Sequence, residues 1–252
     1  MKTTRLGQHF LIDISIAEQQ VRYANITKDD VVLEVGPGRG MLTMVLSKYA
    51  KSVIAVEIDN SLYEFLKDHV PENVHLIQND ILRLKEEKIP RFAKVVSNLP
   101  YEISSPFTFW LFNHNFERAV LMYQKEFAER MIASAGTSSY SRLSVGVYYH
   151  AYCRIVQIVS KECFDPKPQV DSCLVELIPR THPAFLVQNQ KLFFQVTRLL
   201  FNHRRKKIKN PIKDRFGIDQ CDIPFANERV ETLTPEQIGK VSEAIEYQLK
   251  RS

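Results

Sequence analysis

From Val31 onward the chain repeats one pattern. A short, β-branched apolar run is followed by a polar or glycine-rich break and then by a stretch with apolar residues at helical spacing. "VVLEV" (31–35) leads through "GPGRG" into "MLTMVLSKYA", and "SVIAVEI" (52–58) leads into "NSLYEFLKDHV". "VHLIQND" (74–80), "AKVVS" (93–97) and "RAVLMYQ" (118–124) supply three more strands. Strands separated by helical crossovers pair in parallel. The expected fold is therefore α/β, a Rossmann-like, mostly parallel sheet. "KEFAERMIA" reads as a helix, and "SRLSVGVYYHAYCR" reads as another after the polar loop "GTSSY". "IVQIVS" and "SCLVELI" then form the last two strands, close enough in sequence to pair antiparallel, so the last strand is expected to run against the rest.

Two prolines in "PRTHPAF" (179–185) interrupt the pattern and mark an expected boundary between a domain over 1–180 and a small helical domain over 181–252. Beyond it Leu192, Val196, Leu199 and Leu200 recur at helical spacing, and "TPEQIGKVSEAIEYQLKR" has the start signal of a capped amphipathic helix. No further strand is evident there.

Charge sharpens that division. The net charge is +5, but from Arg180 onward 14 Lys plus Arg face 8 Asp plus Glu, while the first 179 residues carry 20 against 21. The basic excess of the C-terminal part suits a polyanion partner. No apolar run approaches the length of about 20 residues that spans a bilayer, and the N-terminal apolar patch is too brief for a signal segment. A cytoplasmic protein with no membrane partner is expected. The 4 cysteines form no CxxC pair and have no His at ligand spacing, so reduced thiols and no metal are expected.

Gly36, Gly38 and Gly40 follow the first strand with spacing GxGxG, whereas a dinucleotide fingerprint asks for GxGxxG and Met41 stands at its third position. Glycines let a backbone turn approach a ligand closely. Glu57, 21 residues after Gly36 at the end of the second strand, is placed to accept hydrogen bonds from ribose hydroxyls. Asp80 closes the third strand at the same edge, where it could accept from an adenine amino group. Neither the loop nor its flanks supply the Lys-Ser/Thr pair of a phosphate-binding loop. Taken singly these residues are also ordinary turn and cap residues. Their order and spacing point to a nucleoside cofactor such as S-adenosylmethionine, bound at the carboxyl edge of the sheet.

The fourth strand ends in Asn98, Leu99, Pro100 and Tyr101. The Asn98 amide oxygen and the Leu99 carbonyl are both acceptors. Gripping the two hydrogens of an exocyclic adenine amine, they would favour a pyramidal, more nucleophilic nitrogen. Pro100 fixes its own backbone angle and biases Leu99 away from the helical region, holding that carbonyl in place. Tyr101 can stack on a base, a contact worth roughly 1–3 kcal/mol. An Asn is no general base, so catalysis by positioning is expected, with the amine attacking a sulfonium methyl and its proton lost to water. A plain proline turn with a surface tyrosine uses the same residue types. Farther on, Arg204, Arg205, Lys206, Lys207 and Lys209 crowd the stretch "FNHRRKKIKN", expected to be helical and to contact RNA phosphates. A solvated charged face is the plainer alternative.

Together these residues resemble the rRNA adenine N6-dimethyltransferase family, which holds the KsgA-type small-subunit enzymes and the Erm-type resistance enzymes. The likeness covers nearly the whole chain through "LGQHFL" (6–11), "EVGPGRG" (34–40), "VEID" (56–59), "NDIL" (79–82), "NLPY" (98–101), "FDPKPQVDS" (164–172) and "FNHRRKK" (201–207). "NLPY" and the basic run look like the small-subunit branch. The resemblance implies S-adenosylmethionine as donor and two methyl transfers to N6 of each of two adjacent adenosines near the 3′ end of small-subunit rRNA, during ribosome biogenesis. It also implies a class I methyltransferase sheet and a monomer acting on naked rRNA or the assembling subunit. By that likeness His9 and Leu11 close over the cofactor, Gly36 contacts its methionine part, Glu57 its ribose and Asp80 its adenine, while Asn98, Pro100 and Tyr101 form the acceptor site. Phe164 resembles the second aromatic that sandwiches the target base. His9 departs from the pattern, since many relatives carry Asn at the matching place; an imidazole can still donate to the cofactor, and its titration leaves the site's pH sensitivity open. A catalytically silent assembly factor that binds RNA, or a methyltransferase of large-subunit rRNA, are the alternatives.

Overall fold

In the computed structural model residues 9–219 and 222–251 are described. Leu6, Gly7 and Gln8 of the "LGQHFL" motif, and Cys221, lie outside them. The chain begins with β1 (Phe10–Leu11), α1 (Ile14–Tyr23), β2 (Val31–Val35), α2 (Met41–Tyr49), β3 (Ser52–Glu57), α3 (Asn60–Lys67) and β4 (Val74–Gln78). It continues through β5 (Lys94–Asn98), α4 (Ser104–Leu111), β6 (Arg118–Gln124), α5 (Lys125–Met131), α6 (Arg142–His150), β7 (Ala151–Val159), β8 (Phe164–Asp165) and β9 (Ser172–Pro179). The helices α7 (Gln190–Asn202), α8 (Lys209–Phe216) and α9 (Pro235–Leu249) follow.

The chain divides into two compact units, one reaching to Ala128 and including Cys153–Pro179, the other formed by Glu129–Tyr152 with the chain from Arg180 onward. The first is organised by a seven-stranded sheet of order β4-β3-β2-β5-β6-β9-β7. β2 pairs in parallel with β3 and β5, β3 with β4, and β5 with β6. β9 runs antiparallel to β6, from Ala119 opposite Leu177 to Gln124 opposite Ser172. Val32, Leu33, Val53, Ile54, Val95 and Val96 are fully buried, which is why their runs carry no polar alternation. Because the four strands β2 to β5 are parallel, Val35, Glu57, Gln78 and Asn98 all end at one edge. The chain order reverses direction there, beside β2, so a crevice opens between β2 and β5. Their ladder stops at Leu33 opposite Val95, and beyond it the buried Ser97 hydroxyl donates to the Val35 carbonyl and accepts from its N–H. A side chain thus stands in for the backbone ladder where the strands part.

Two local expectations are corrected. The helix read over 141–154 stops at His150, and Ala151 turns extended (φ −146°, ψ 157°) to begin β7; the β-branched run that follows is better served beside β9 at the sheet edge. The second is an omission: β1 pairs with β8, Phe10 opposite Asp165 and Leu11 opposite Phe164, in two-residue strands too short to show periodicity in the sequence.

The second unit has its own core. Tyr140, Val145 and Tyr149 bury with Leu192, Phe193, Val196 and Leu200 of α7 and with Ile238, Val241 and Ile245 of α9. The single boundary expected at 180 is therefore incomplete: 129–152 join the C-terminal helices because the apolar face of α6 belongs to their core. The Thr234 hydroxyl accepts from the Gln237 N–H (3.3 Å) and the Gln237 amide oxygen from the Thr234 N–H (2.8 Å), the reciprocal cap that the sequence of α9 signals.

Candidate active site

The loop from β2 to α2 is built around left-handed glycines. Gly36 has φ +69° and Gly38 φ +59°, and a Cβ at Gly36 would stand 3.2 Å from Pro100 Cδ, one at Gly38 3.1 Å from the Phe10 ring. The loop is thus pressed between the Asn-Leu-Pro-Tyr turn and Phe10, and a side chain at either glycine would fill the space beside it. Gly36 donates to the Val56 carbonyl (2.9 Å), which ties the loop to β3. Arg39 lies 4.3 Å over the Phe10 ring and 3.8 Å from Asp165, closing the far side of that ring.

Glu57, only 2% exposed, receives the Asp59 N–H on Oε1 (2.8 Å) and the Gly38 N–H on Oε2 (3.2 Å). Burial pushes its carboxyl up, and those backbone donors pull it back. Each oxygen keeps a lone pair, so the carboxylate can still accept from two neighbouring hydroxyls. Asp80 accepts from the Leu82 N–H (3.0 Å) and meets the Arg83 guanidinium (3.3 Å), again with acceptor capacity left. Asn98 Oδ1 is different: it is buried and has no hydrogen-bond partner among the described residues. An orphaned acceptor costs stability unless something supplies a donor. Beyond it Pro100 (φ −54°, ψ 128°) leads into a single 3-10 turn, Tyr101–Ile103, and the Tyr101 hydroxyl is held 2.8 Å from Ser172 Oγ. Burial raises that hydroxyl's pKa, with the Ser172 bond opposing.

These groups line one cavity of about 310 Å³. On one side are Gly36, Gly38, Glu57 and Asp80; on the other are Asn98, Leu99, Pro100, Tyr101 and Phe164; His9 faces it from beside β1. Of the residues expected around the site in this unit, Leu11 alone does not line it. It is a core residue, paired with Phe164 of β8. Phe10, Ile58, Leu62, Ile81 and Met122 are among the further lining residues that were not singled out from the sequence. Ile58 and Ile81 directly follow Glu57 and Asp80, so an apolar residue after a strand-ending acid was the available signal. The set fits a nucleoside: glycine backbone for close approach, a carboxylate with free lone pairs for a ribose, and apolar side chains for a flat ring.

The basic stretch belongs to the second unit, and it is not one helix: its two ends lie in α7 and α8, and residues 203–208 between them are not helical. α7 stops at Asn202, His203 leaves helical geometry (φ −119°, ψ 36°), and residues 204–207 form turns before α8. Arg204 is consumed by the fold. Its guanidinium donates to the Ser138 carbonyl (2.6 Å), the Thr137 carbonyl (2.9 Å) and Glu231 Oε2 (3.0 Å). Arg205, Lys206 and Lys207 are exposed, with Lys207 bridged to Arg229 through the backbone. In this unit 16 Lys plus Arg face 9 Asp plus Glu.

Comparison with known proteins agrees with this geometry. The profile of a family described as "Ribosomal RNA adenine dimethylase" matches residues 1–247. A "Probable ribosomal RNA small subunit methyltransferase A" of Pyrococcus furiosus is 42% identical, over 97% of this chain and 92% of its own. Among solved structures, a dimethyladenosine transferase from Plasmodium falciparum superposes with a TM-score of 0.78 at 29% identity, covering 96% of this chain and 98% of that one. The 23S rRNA methyltransferase ErmE gives 0.67 at 26% identity, with 94% and 99% covered.

Proposed function

The chain belongs to the ribosomal RNA adenine dimethylase family, and we propose that it dimethylates N6 of two adjacent adenosines near the 3′ end of small-subunit rRNA during ribosome assembly. It is an S-adenosylmethionine-dependent rRNA adenine methyltransferase. When bound, that cofactor supplies an electrophilic methyl group on a positively charged sulfur. Gly36 and Gly38 would give its amino-acid part a side-chain-free surface, Glu57 would accept from its ribose, and Asp80 would accept from its adenine amino group. Held by these residues, the cofactor would share the cavity with the turn after β5.

The observation that carries the proposal is the buried, unpartnered Asn98 Oδ1 at the wall shared with the glycine loop. An adenine N6 amine supplies the missing donor. With Asn98 Oδ1 and the Leu99 carbonyl each holding one hydrogen, the nitrogen lone pair would be turned out of conjugation and made available for attack. Tyr101 and Phe164 take the two faces of the flipped base. Tyr101 is suited to that because its hydroxyl is tethered to Ser172 and the residue lines the cavity. Arg205, Lys206 and Lys207 contact rRNA phosphates and orient the substrate without reading its bases. The same proposal has the protein act in the cytoplasm as a monomer on the assembling small subunit.

The test is mass spectrometry of an unmodified small ribosomal subunit incubated with the protein and labelled S-adenosylmethionine, beside Asn98→Ala. Two dimethyladenosines near the 3′ end, lost in the variant, are expected. Binding of subunit and cofactor without transfer would replace this reading with a silent assembly factor, and label in large-subunit rRNA alone would move the substrate.

A further inference from the structure

Each methyl transfer forms an N–C bond, breaks a C–S bond whose electron pair stays on sulfur, and ends with one amine hydrogen lost to water as a proton. On the dimethyltransferase reading, the first transfer starts from an amine with two hydrogens facing two acceptors, Asn98 Oδ1 and the Leu99 carbonyl. The second starts from an amine with one hydrogen. Half of the hydrogen-bonded grip is then gone, and the stacked rings must keep the base in reacting position. What fixes those rings decides whether the reaction stops at one methyl or continues to two.

Phe164 is 5% exposed and is held by the core in which it packs. Tyr101 is only half-buried and stands at the first position of the 3-10 turn that leads into α4. Its hydroxyl, at the far end of the ring axis, is 2.8 Å from Ser172 Oγ. Ser172 is fully buried, does not line the cavity, and opens β9 opposite Gln124 of β6. Its neighbour Asp171 accepts from the Lys125 N–H through its carbonyl (3.0 Å) and from the Lys161 N–H through Oδ1 (3.0 Å). The start of β9 is therefore tied down on two sides, and the Tyr101–Ser172 bond reaches past β6 from the acceptor turn to a fixed point of the sheet. A side chain anchored at both ends of its ring axis cannot swing away from a base. Resting on the dimethyltransferase reading of this cavity, we propose that Ser172 is a positioning residue for the second methyl transfer. It touches neither cofactor nor base, and it acts by holding Tyr101 once the amine has lost one hydrogen. The two hydroxyls form a closed pair: deleting either one strands the other, whereas deleting both strands neither.

The experiment is single-turnover transfer to an unmodified small ribosomal subunit with saturating S-adenosylmethionine and protein in excess. N6-methyladenosine and N6,N6-dimethyladenosine are followed by mass spectrometry for the wild type, Ser172→Ala, Tyr101→Phe and the double variant. The rate of the second transfer relative to the first is expected to fall by roughly 3- to 10-fold in each single variant, the worth of one net hydrogen bond, so that the monomethylated base accumulates. The double variant should fall no further than the single ones, because both remove the same bond. Tyr101→Phe breaks that bond without touching β9, so a Ser172→Ala chain that folds poorly leaves the test intact. A wild-type ratio in Tyr101→Phe, an equal loss in both transfers, or losses that multiply in the double variant would each overturn the inference while the wild type still dimethylates and the reading of the cavity stands. If the wild type forms no dimethyladenosine, that reading fails and this inference with it.

Discussion

Arg204 stands in the middle of a basic run, yet its side chain is committed to the fold, and replacing it separates two roles that the sequence presents as one. Its guanidinium ties its own turn to two other segments, through the carbonyls of Thr137 and Ser138 and the carboxylate of Glu231, at 2.6–3.0 Å. Hydrogen bonds to charged groups are worth about 1.5–3 kcal/mol when buried. Arg204 and Glu231 are 33% and 27% exposed, so screening lowers that range. About 1 kcal/mol for each of the three bonds puts Arg204→Ala at about 2–3 kcal/mol of lost stability, on the order of a hundredfold in the unfolding equilibrium. Arg204→Lys should recover little of it, because a point charge on a flexible stem cannot span three acceptors as a planar fork does. Urea unfolding of both variants beside Arg205→Ala measures the difference, with Arg205→Ala expected within about 0.5 kcal/mol of wild type. An Arg204→Ala midpoint equal to that of wild type, together with weaker RNA binding, would refute the reasoning and return Arg204 to the RNA surface.

Neutralising Arg205, Lys206 and Lys207 together should leave folding and cofactor affinity unchanged while lowering the slope of log affinity against log salt by about 2, readable by RNA binding at several ionic strengths. Gly36→Ala forces a side chain into left-handed backbone and against a rigid proline ring, at a cost of about 1–2 kcal/mol; transfer should fall more steeply than calorimetric cofactor affinity, because Asn98 and Leu99 move with Pro100. Glu34 is fully buried next to the loop, and burial pushes its carboxyl up to about 8. An acid with a higher pKa in the native state stabilises fully below its unfolded value near 4.5 and loses that contribution as pH rises toward 8. Glu34→Gln should therefore gain on wild type between pH 5 and 8, by up to roughly 1.4 kcal/mol per pH unit in urea unfolding. Tyr101→Ala should lower kcat/KM by roughly 10- to 100-fold through lost stacking, while Tyr101→Phe keeps most of it.

The strands and the glycine loop were legible because they depend on short-range pattern. "VVLEV" followed by "GPGRG" is strand, turn and helix by composition alone, and Glu57, Asp80 and Asn98 could be brought to one edge because parallel strands with helical crossovers end together. Leu11 and Phe164 were harder: they are 153 positions apart, and the two-residue ladder that joins them has no local signature. The basic run misled in another way. Helical propensity of Arg and Lys favours continuing α7, but Ile208, 1% exposed, belongs in the core with Val230, and seating it bends the chain into turns before α8. Nothing in "RRKK" distinguishes the arginine that ties the fold from its neighbours. That choice is made by Thr137, Ser138 and Glu231, which are remote in sequence.

On the proposed reading the geometry also explains how a turn without a base of its own can be fast enough to be useful. Positioning lowers a barrier only if the reacting groups are held without further reorganisation. Here the two sides of the cavity are braced against each other: the Pro100 ring lies on Gly36, Gly36 is bonded to Val56 of β3, and Ser97 clamps β5 to Val35. Cofactor loop and acceptor turn thus form one rigid piece set by the sheet, and Tyr101 is pinned to it through Ser172 on β9. A second transfer to the same nitrogen makes this bracing more important. On the proposed reading the monomethylated amine has only one hydrogen left for Asn98 and Leu99, so one of these two acceptors loses its partner and the hydrogen-bonded grip weakens. Stacking and the fixed walls must then hold the base, and both are properties of the folded sheet that the first transfer does not alter.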